Sequence, residues 1–322
     1  MFFKRNARRI AGVFIVLLSA CSTPLTSALR TAAPANLPVR AELSDVVFYP
    51  QEEYQCGPAS LAMVMKSTGV NVEPAQLKDY LYIPEKQGSL QIEMLATARR
   101  YGMLAYVLQP SLQDVLTEVA AGNPVVVLQN LGLSWYPLWH YAVVVGYDLP
   151  NGEIILRSGA TQRQVLPLIT FENTWARSKY WAMLVLHPDR LPQTASSGNY
   201  LQSLTALQHS SPDTDIWPAY TAAMERWPDS LLVTISAGNH AYNRGNLALA
   251  EQLFLQATQA HPASAAAFNN LAQTLSDLGK HEAALLAIRR AVEIGGPLES
   301  VLRKTLAEVE LKKREAQEGA LK

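Results

Sequence analysis

The last third of the chain repeats itself with a period of about 34 residues, the period of the tetratricopeptide repeat. Three small residues recur one period later, namely Gly245, Ala250 and Ala257 as Gly279, Ala284 and Ala291. Such a repeat is a pair of helices, and its small residues allow the helices to approach closely. Ala257 shifted back by one period falls on Ala223, so we expect a half repeat before the two full ones.

The repeat predicts an all-α tetratricopeptide repeat domain over residues 211–318, preceded by a linker at 191–210. Terminal repeats need a polar outer face, and the charged segment 299–316 is suited to a capping helix. Stacked helix pairs present a concave surface, so the expected partner of this domain is a protein.

The N-terminus has the pattern of a secretory signal. Four basic residues (Lys4, Arg5, Arg8 and Arg9) precede an apolar run at 10–18 that is too short to span a bilayer. The run ends in Leu18-Ser19-Ala20-Cys21, which resembles the lipobox of bacterial lipoproteins. We therefore predict a signal peptide at 1–20 and lipidation of Cys21. An uncleaved anchor, or ordinary cleavage that leaves a thiol at Cys21, stays open.

The expected location is the cell envelope. Ser22 follows the cysteine, and by resemblance to sorting rules in Gram-negative bacteria this favours a lipid anchor in the outer membrane, facing the periplasm. Residues 21–44 are rich in Ala, Pro, Ser and Thr and predict a flexible tether. The 27 basic and 27 acidic residues balance, so charge indicates no nucleic-acid partner.

Cys56 is the second of only two cysteines. If lipidation consumes Cys21, Cys56 has no partner in an oxidising compartment, where thiols are usually paired. Nucleophilic catalysis is the commonest reason for such a thiol, and a buried inert cysteine is the alternative.

The surroundings of Cys56 favour the catalytic interpretation. Apolar residues at helical spacing follow Gly57-Pro58, so Cys56 should begin a helix whose dipole favours the thiolate. His140 opens a predicted β-hairpin and is the candidate base. Helices come first and strands later, which predicts an α+β domain over residues 45–190.

Three segments carry a resemblance to a known family. Gln51, the run Cys56-Gly57-Pro58-Ala59 and the strand from His140 to Tyr147 resemble the bacteriocin-processing (double-glycine leader) peptidases. The resemblance implies a papain-like cysteine peptidase fold, peptide cleavage after a small-residue pair such as Gly-Gly, and Gln51 as oxyanion donor. Gln51 stands five residues before Cys56, where the family has six.

The third catalytic residue departs from the family. Its members have Asp-Pro on the strand after the histidine strand, and this chain has Arg157-Ser158-Gly159. The hairpin should bring Ser158 close to His140, where its hydroxyl orients the ring but stabilises imidazolium less than a carboxylate does. A slow peptidase and a non-catalytic, peptide-binding scaffold lipoprotein both stay open, as does a thiol acyltransferase or amidase.

Other candidate groups are weaker. Trp135, Tyr136 and Trp139 precede His140 and either floor a hydrophobic substrate groove or, as such clusters more often do, pack in the core. The remaining histidines show no metal-ligand spacing, so we expect neither a metal nor a cofactor.

Overall fold

A computed structural model describes residues 23–32, 34–51 and 55–320 of the chain. It divides into two compact units. One contains the chain up to Ala195 together with Ser203–Thr214, and the other contains Ser196–Gln202 together with the chain from Asp215. Each unit is described by itself.

The N-terminal unit is built on one antiparallel sheet. Its strands are β1 (Arg40–Glu42), β2 (Leu104–Val107), β3 (Val125–Asn130), β4 (Trp139–Asp148), β5 (Glu153–Ser158), β6 (Thr161–Pro167) and β7 (Ala182–Leu186). The order is β2-β7-β3-β4-β5-β6, with β1 paired to β4. The long strand β4 is therefore central, and it carries His140 at its second position.

Within residues 23–32, 34–51 and 55–195 the structure describes six α-helices: α1 (Pro24–Thr31), α2 (Cys56–Ser67), α3 (Pro74–Leu81), α4 (Gln91–Arg100), α5 (Leu112–Ala120) and α6 (Leu168–Ala176). A 3-10 turn at Pro84–Lys86 links α3 to α4. Ser111 caps α5, because its side-chain oxygen accepts the N–H of Asp114. Strand β6 and helix α6 were not predicted, because neither shows a clear period in the sequence.

Helix α2 is buried over most of its length. Every residue from Gly57 to Met65 is buried, which is why this helix has no polar face. Leu61, Val64 and Met65 share one core with Tyr141, Val143 and Val145 of β4. Because a strand alternates its side chains, these three β4 residues lie on one face of the sheet, and α2 covers that face.

The predicted hairpin of β4 and β5 is present, with a shift in register. Val144 pairs with Leu156, whereas Gly146 pairs with Ile155, so Val145 forms a bulge. A Cβ on Gly146 would lie 2.7 Å from the carbonyl oxygen of Ala41, so the approach of β1 requires glycine there.

The segment predicted as a flexible tether is partly structured. Helix α1 and strand β1 lie within it. The buried carboxylate of Glu172 accepts hydrogen bonds from the N–H groups of Leu25 (2.9 Å) and Thr26 (2.6 Å). The prediction missed this because the cap comes from a residue about 146 positions away, which composition cannot reveal.

The C-terminal unit is all-helical, and seven helices cover the end of the chain. They are α7 (Ser197–Ser210), α8 (Trp217–Arg226), α9 (Leu231–Asn243), α10 (Leu247–Ala260), α11 (Ala265–Asp277), α12 (His281–Ile294) and α13 (Glu299–Ala320). The bounds of α9 and α10 recur one sequence period later as those of α11 and α12. Close packing accompanies the period, since a Cβ on Gly238 would lie 2.5 Å from the ring of Phe254.

The boundary between the predicted domains differs from the expected linker. Helix α7 occupies Ser197–Ser210, where a linker at 191–210 was predicted. Helix α7 begins one repeat period before α9, and α8 ends one repeat period before α10. Helices α7 and α8 therefore follow the period as a third helix pair, where only a half repeat was expected. The small polar residues at 193–198 led to the prediction of a linker, although a helix begins at Ser197.

Among the described residues, no helix is long and apolar enough to cross a membrane. The predicted signal peptide at 1–20 lies outside the described residues.

The Glu172 cap leads to a first prediction. Glu172→Gln removes the charge that the α1 N–H groups bond, which costs on the order of 1 kcal/mol of local stability. Trypsin should then cleave after Arg30, within α1, several-fold faster than in the wild type, as measured by mass spectrometry. The exposed Glu85→Gln serves as the control and should leave this rate unchanged. Equal rates in all three proteins would show that Glu172 does not hold α1.

Candidate active site

Cys56 is the first residue of α2. The carbonyl of Gln55 accepts the N–H of Ala59 at 3.1 Å, which closes the first turn. Pro58 is compatible with this turn because the N–H that it lacks would have no partner within the helix. The thiol therefore lies at the helix N-terminus, as predicted, and its side chain is partly buried.

Gly57 is required by the loop that packs against this helix end. A Cβ at this position would lie 2.3 Å from Oγ of Ser89. The hydroxyl of Tyr141 donates to the Ser89 carbonyl at 3.2 Å, which fixes the loop to β4. Any larger residue at 57 would push away the loop beside the thiol.

Burial sets the protonation state of Cys56. It raises the pKa of the thiol above its ordinary value, while the backbone N–H groups of Tyr141, Gly57 and Cys56 act in the opposite direction. The expected effect of the helix end is present, but desolvation outweighs it. At neutral pH the resting group is thus a thiol rather than the expected thiolate.

The sulfur of Cys56 interacts with the backbone N–H of Tyr141, the residue that follows His140 on β4. Burial lowers the pKa of His140 below its ordinary value. The imidazole is therefore neutral at pH 7, and the pair at rest is a neutral thiol and a neutral base.

The structure brings Ser158 to His140. Oγ of Ser158 lies 2.9 Å from Nε2 of the imidazole, and Ser158 is the last residue of β5. When Nε2 carries the proton, it donates to this hydroxyl and Nδ1 has a free lone pair. A hydroxyl can also donate, so it permits both tautomers where a carboxylate would impose one.

Gln51 bridges three parts of the site. Its backbone N–H donates to the carbonyl of Gly159, and its Oε1 accepts the N–H of Gly159, both at 3.0 Å. Its Nε2 donates to Oγ of Ser60 and to the carbonyl of Tyr141, both at 3.3 Å. Gln51 thus joins the end of β5 to α2 and β4, despite the shortened spacing to Cys56.

This geometry bears on the predicted oxyanion role of Gln51. Both Nε2 protons already have acceptors, although the two contacts are long for hydrogen bonds. An oxyanion would have to replace one of them. Residues 52–54, which connect Gln51 to the helix, and the predicted lipidation site Cys21 lie outside the described residues.

Sequence reasoning missed several residues that hold the site. Ser60 lies one helical turn after Cys56 and is fully buried, a position that the helical spacing alone could have marked. Two further contacts join segments that are distant in the sequence, namely Gly159 with Gln51 and Ser89 with Gly57. Local sequence patterns could not have predicted either contact.

The aromatic residues before His140 are exposed. The exposed fraction of Trp135 is 81% and that of Tyr136 is 74%, and Trp139 is exposed as well. The favoured interpretation of core packing is therefore wrong. The strand turns outward here, and the side chains of β4 become buried only from Tyr141 onward.

The described residues contain no group of three or more His, Cys, Asp or Glu side chains that could hold a metal ion. The imidazole of His187 pairs with Asp189 at 2.7 Å on the surface.

One family model matches part of the N-terminal unit. Residues 43–183 match the family described as Peptidase_C39 like family. The match contains all four candidate site residues of this unit: Gln51, Cys56, His140 and Ser158. No curated protein matches the chain.

Two solved structures are similar to part of the chain. A C39-like peptidase from Bacillus anthracis has 20% identity and a TM-score of 0.39, covering 46% of this chain and 97% of its own. The peptidase domain of Streptococcus ComA, a bi-functional ABC transporter involved in a quorum-sensing pathway, has 22% identity and a TM-score of 0.37. That match covers 44% of this chain and 98% of the ComA domain.

The predicted fold class is confirmed. An α+β domain with an antiparallel sheet, which matches the C39-like peptidase family over residues 43–183, is followed by an all-helical region. The family implies a peptide or protein substrate. Its match is confined to residues 43–183, the segment that contains the candidate site.

Proposed function

We propose that this chain is a membrane-anchored cysteine endopeptidase that cleaves peptide bonds with Cys56 and His140. The observation that carries the proposal is the 2.9 Å contact of His140 Nε2 with Ser158, beside a helix that begins with Cys56. When Nε2 donates to the Ser158 hydroxyl, Nδ1 is the basic nitrogen. The C39-like match over the same residues supports this assignment.

The neutral resting pair defines the first chemical step. As the Cys56 sulfur attacks the scissile carbonyl carbon, its proton moves to Nδ1 of His140, and the carbonyl oxygen becomes an oxyanion. The imidazolium then protonates the leaving amine, and a thioester remains. Water, deprotonated by His140, attacks the thioester and releases the acid, which restores the thiol and the neutral imidazole.

Two donors are proposed for the oxyanion. The backbone N–H of Cys56 lies at the start of α2, where helical N–H groups have no intrahelical partner. The second donor is Nε2 of Gln51, after it gives up one of its 3.3 Å contacts. Such a loss lowers the benefit of the amide, because a preorganised donor needs no exchange.

Two further predictions complete the proposal. The basic and apolar pattern before Cys21 supports a lipid anchor in the outer membrane, facing the periplasm. The regular period of the helix bounds supports tetratricopeptide repeats, which would bind a protein partner or the substrate. Cleavage after a small pair such as Gly-Gly rests on the family resemblance.

The second candidate is a peptide-binding scaffold that has lost catalysis. The raised pKa of the Cys56 thiol, the serine in place of a carboxylate, and the occupied donors of Gln51 all favour it. Members of the matched family can be inactive. A peptide-binding domain would keep this fold without needing proton transfer.

The pH dependence of Cys56 modification separates the two candidates. A peptidyl vinyl sulfone reacts fast only if the site transfers a proton to and from the thiol. We expect the rate to fall on the acid side with a midpoint below about pH 6.5, because burial lowers the pKa of His140 and keeps the imidazole neutral to lower pH. His140→Ala should slow the reaction at pH 7 by roughly 100-fold or more.

The control for that experiment is His187→Ala, which removes an exposed imidazole from the same unit. It should leave both the rate and the acid midpoint unchanged. If His140→Ala reacts as fast as the wild type at every pH, the thiol works without a base and the scaffold candidate replaces the peptidase.

Ser158 gives a prediction of its own. Ser158→Asp places a carboxylate at Nε2, raises the pKa of His140 by about one unit or more, and should move the acid midpoint upward by that amount. The carboxylate also stabilises imidazolium, so modification at pH 7 should be about tenfold faster. Ser158→Ala, which removes the partner, should be about tenfold slower.

Ser158→Asn is the matched control, since it has the shape of aspartate without the charge. Its acid midpoint should stay near that of the wild type. An identical midpoint for Ser158→Asp and Ser158→Asn would mean that residue 158 does not act on the imidazole electrostatically.

A further inference from the structure

The segment at residues 131–139, named the aromatic loop here, exposes its large side chains while its backbone is internally bonded. All of its residues except Gly132 are exposed, and they include two tryptophans, a tyrosine and three leucines. Leu131 N–H donates to the carbonyl of Leu138 at 2.9 Å, and Leu133 exchanges hydrogen bonds with Tyr136 at 3.0 and 3.1 Å. The loop is thus a small hairpin and not a collapsed apolar segment.

Asn130 and Arg177 hold the base of the aromatic loop. The buried Asn130 side chain accepts the N–H groups of Gly132 and Leu138, both at 2.9 Å. Arg177 donates to the carbonyls of Asn130 (3.1 Å) and Gly132 (2.5 Å). These bonds satisfy several backbone groups of the loop, which lowers the penalty for unpaired N–H and C=O groups when the tip leaves water.

The charges around the aromatic loop favour a lipid surface. The sequence contains no Asp, Glu, Lys or Arg between Glu118 and Asp148. The exposed cations Arg177 and Lys179 lie in the turn that bonds to the loop base. Trp and Tyr concentrate at membrane interfaces, and basic residues beside them attract anionic headgroups.

The loop also lies near the start of the described chain. Leu25 N–H bonds to Glu172, and Glu172 stands five residues before Arg177, at the end of α6. Allowing for both side chains, the start of α1 and the base of the loop are within about 30 Å of each other. Cys21 precedes Thr23 by two residues, which span at most about 7 Å.

From these observations we infer that the aromatic loop inserts into the lipid interface of the membrane to which the chain is anchored. The inference rests on the membrane anchoring proposed above, and it is independent of catalysis. Trp135, Tyr136 and Leu138 enter the headgroup region, and Arg177 and Lys179 face anionic lipids. Because His140 follows the loop directly, the candidate site then opens next to the membrane surface.

The test measures how deep the loop tip lies in a bilayer. The full chain with Cys56→Ala and Ser134→Cys is purified from membranes, labelled at residue 134 with an environment-sensitive fluorophore, and reconstituted into vesicles of phosphatidylethanolamine and phosphatidylglycerol. Lipids brominated on their acyl chains should quench most of the fluorescence. The matched control is Gln162→Cys, an exposed position on β6 of the same unit, which should not be quenched. The Cys56→Ala background without a new cysteine reports any label on Cys21.

Two further variants make the test decisive. Adding Trp135→Ser and Leu138→Ser changes exposed side chains only, and it should abolish quenching at residue 134 while the protein still floats with the vesicles. Quenching that persists in this variant would overturn the inference, because the loop's side chains would then not be the inserting groups.

The failures of anchoring and of insertion are distinguishable. Protein that floats with vesicles but is not quenched at residue 134 overturns the insertion and leaves the anchor intact. Protein that does not float overturns both. A label that responds to added apolar peptides and not to brominated lipid would make the loop a peptide-binding surface. None of these outcomes depends on peptidase activity, because Cys56 is absent.

Discussion

The packing of α2 on the central strand β4 is the interaction on which the candidate site depends. Nine consecutive residues of the helix, Gly57–Met65, are buried, and a buried helix of this kind cannot shift without exposing its core contacts. Its N-terminus is therefore held next to the start of β4. Cys56 begins this helix and His140 lies at the start of this strand, although 84 positions separate them in the sequence.

The burial of Cys56 and His140 also favours the neutral form of each side chain. Desolvation raises the pKa of Cys56 and lowers that of His140, so a neutral thiol and a neutral imidazole are the resting forms. An acyl transfer from this state creates both charges during the reaction, and the groups that stabilise imidazolium and oxyanion decide its rate. In the proposed mechanism those groups are the hydroxyl of Ser158 and the amide of Gln51, each weaker than a charged or preorganised partner.

Sequence patterns predicted the elements whose signals are local. The helix at Cys56, the hairpin after His140 and the period of the C-terminal helices follow from spacing, and the hairpin placed Ser158 opposite His140. Features made by long-range contact were not predictable. The Glu172 cap on α1, the Gln51 bridge to Gly159 and the outward turn of the aromatic loop each depend on residues that meet only in the folded chain, and desolvation reversed the expected shift of the thiol pKa.

The most direct test of the central claim is the detection of new peptide termini. A library of peptides is incubated with the full chain and, in parallel, with Cys56→Ala, which removes only the sulfur, and the products are sequenced by mass spectrometry. The account predicts cleavage products that appear with the wild type and are absent with Cys56→Ala. Identical product sets for the two proteins would contradict it, because the Cys56 sulfur would then take no part in cleavage.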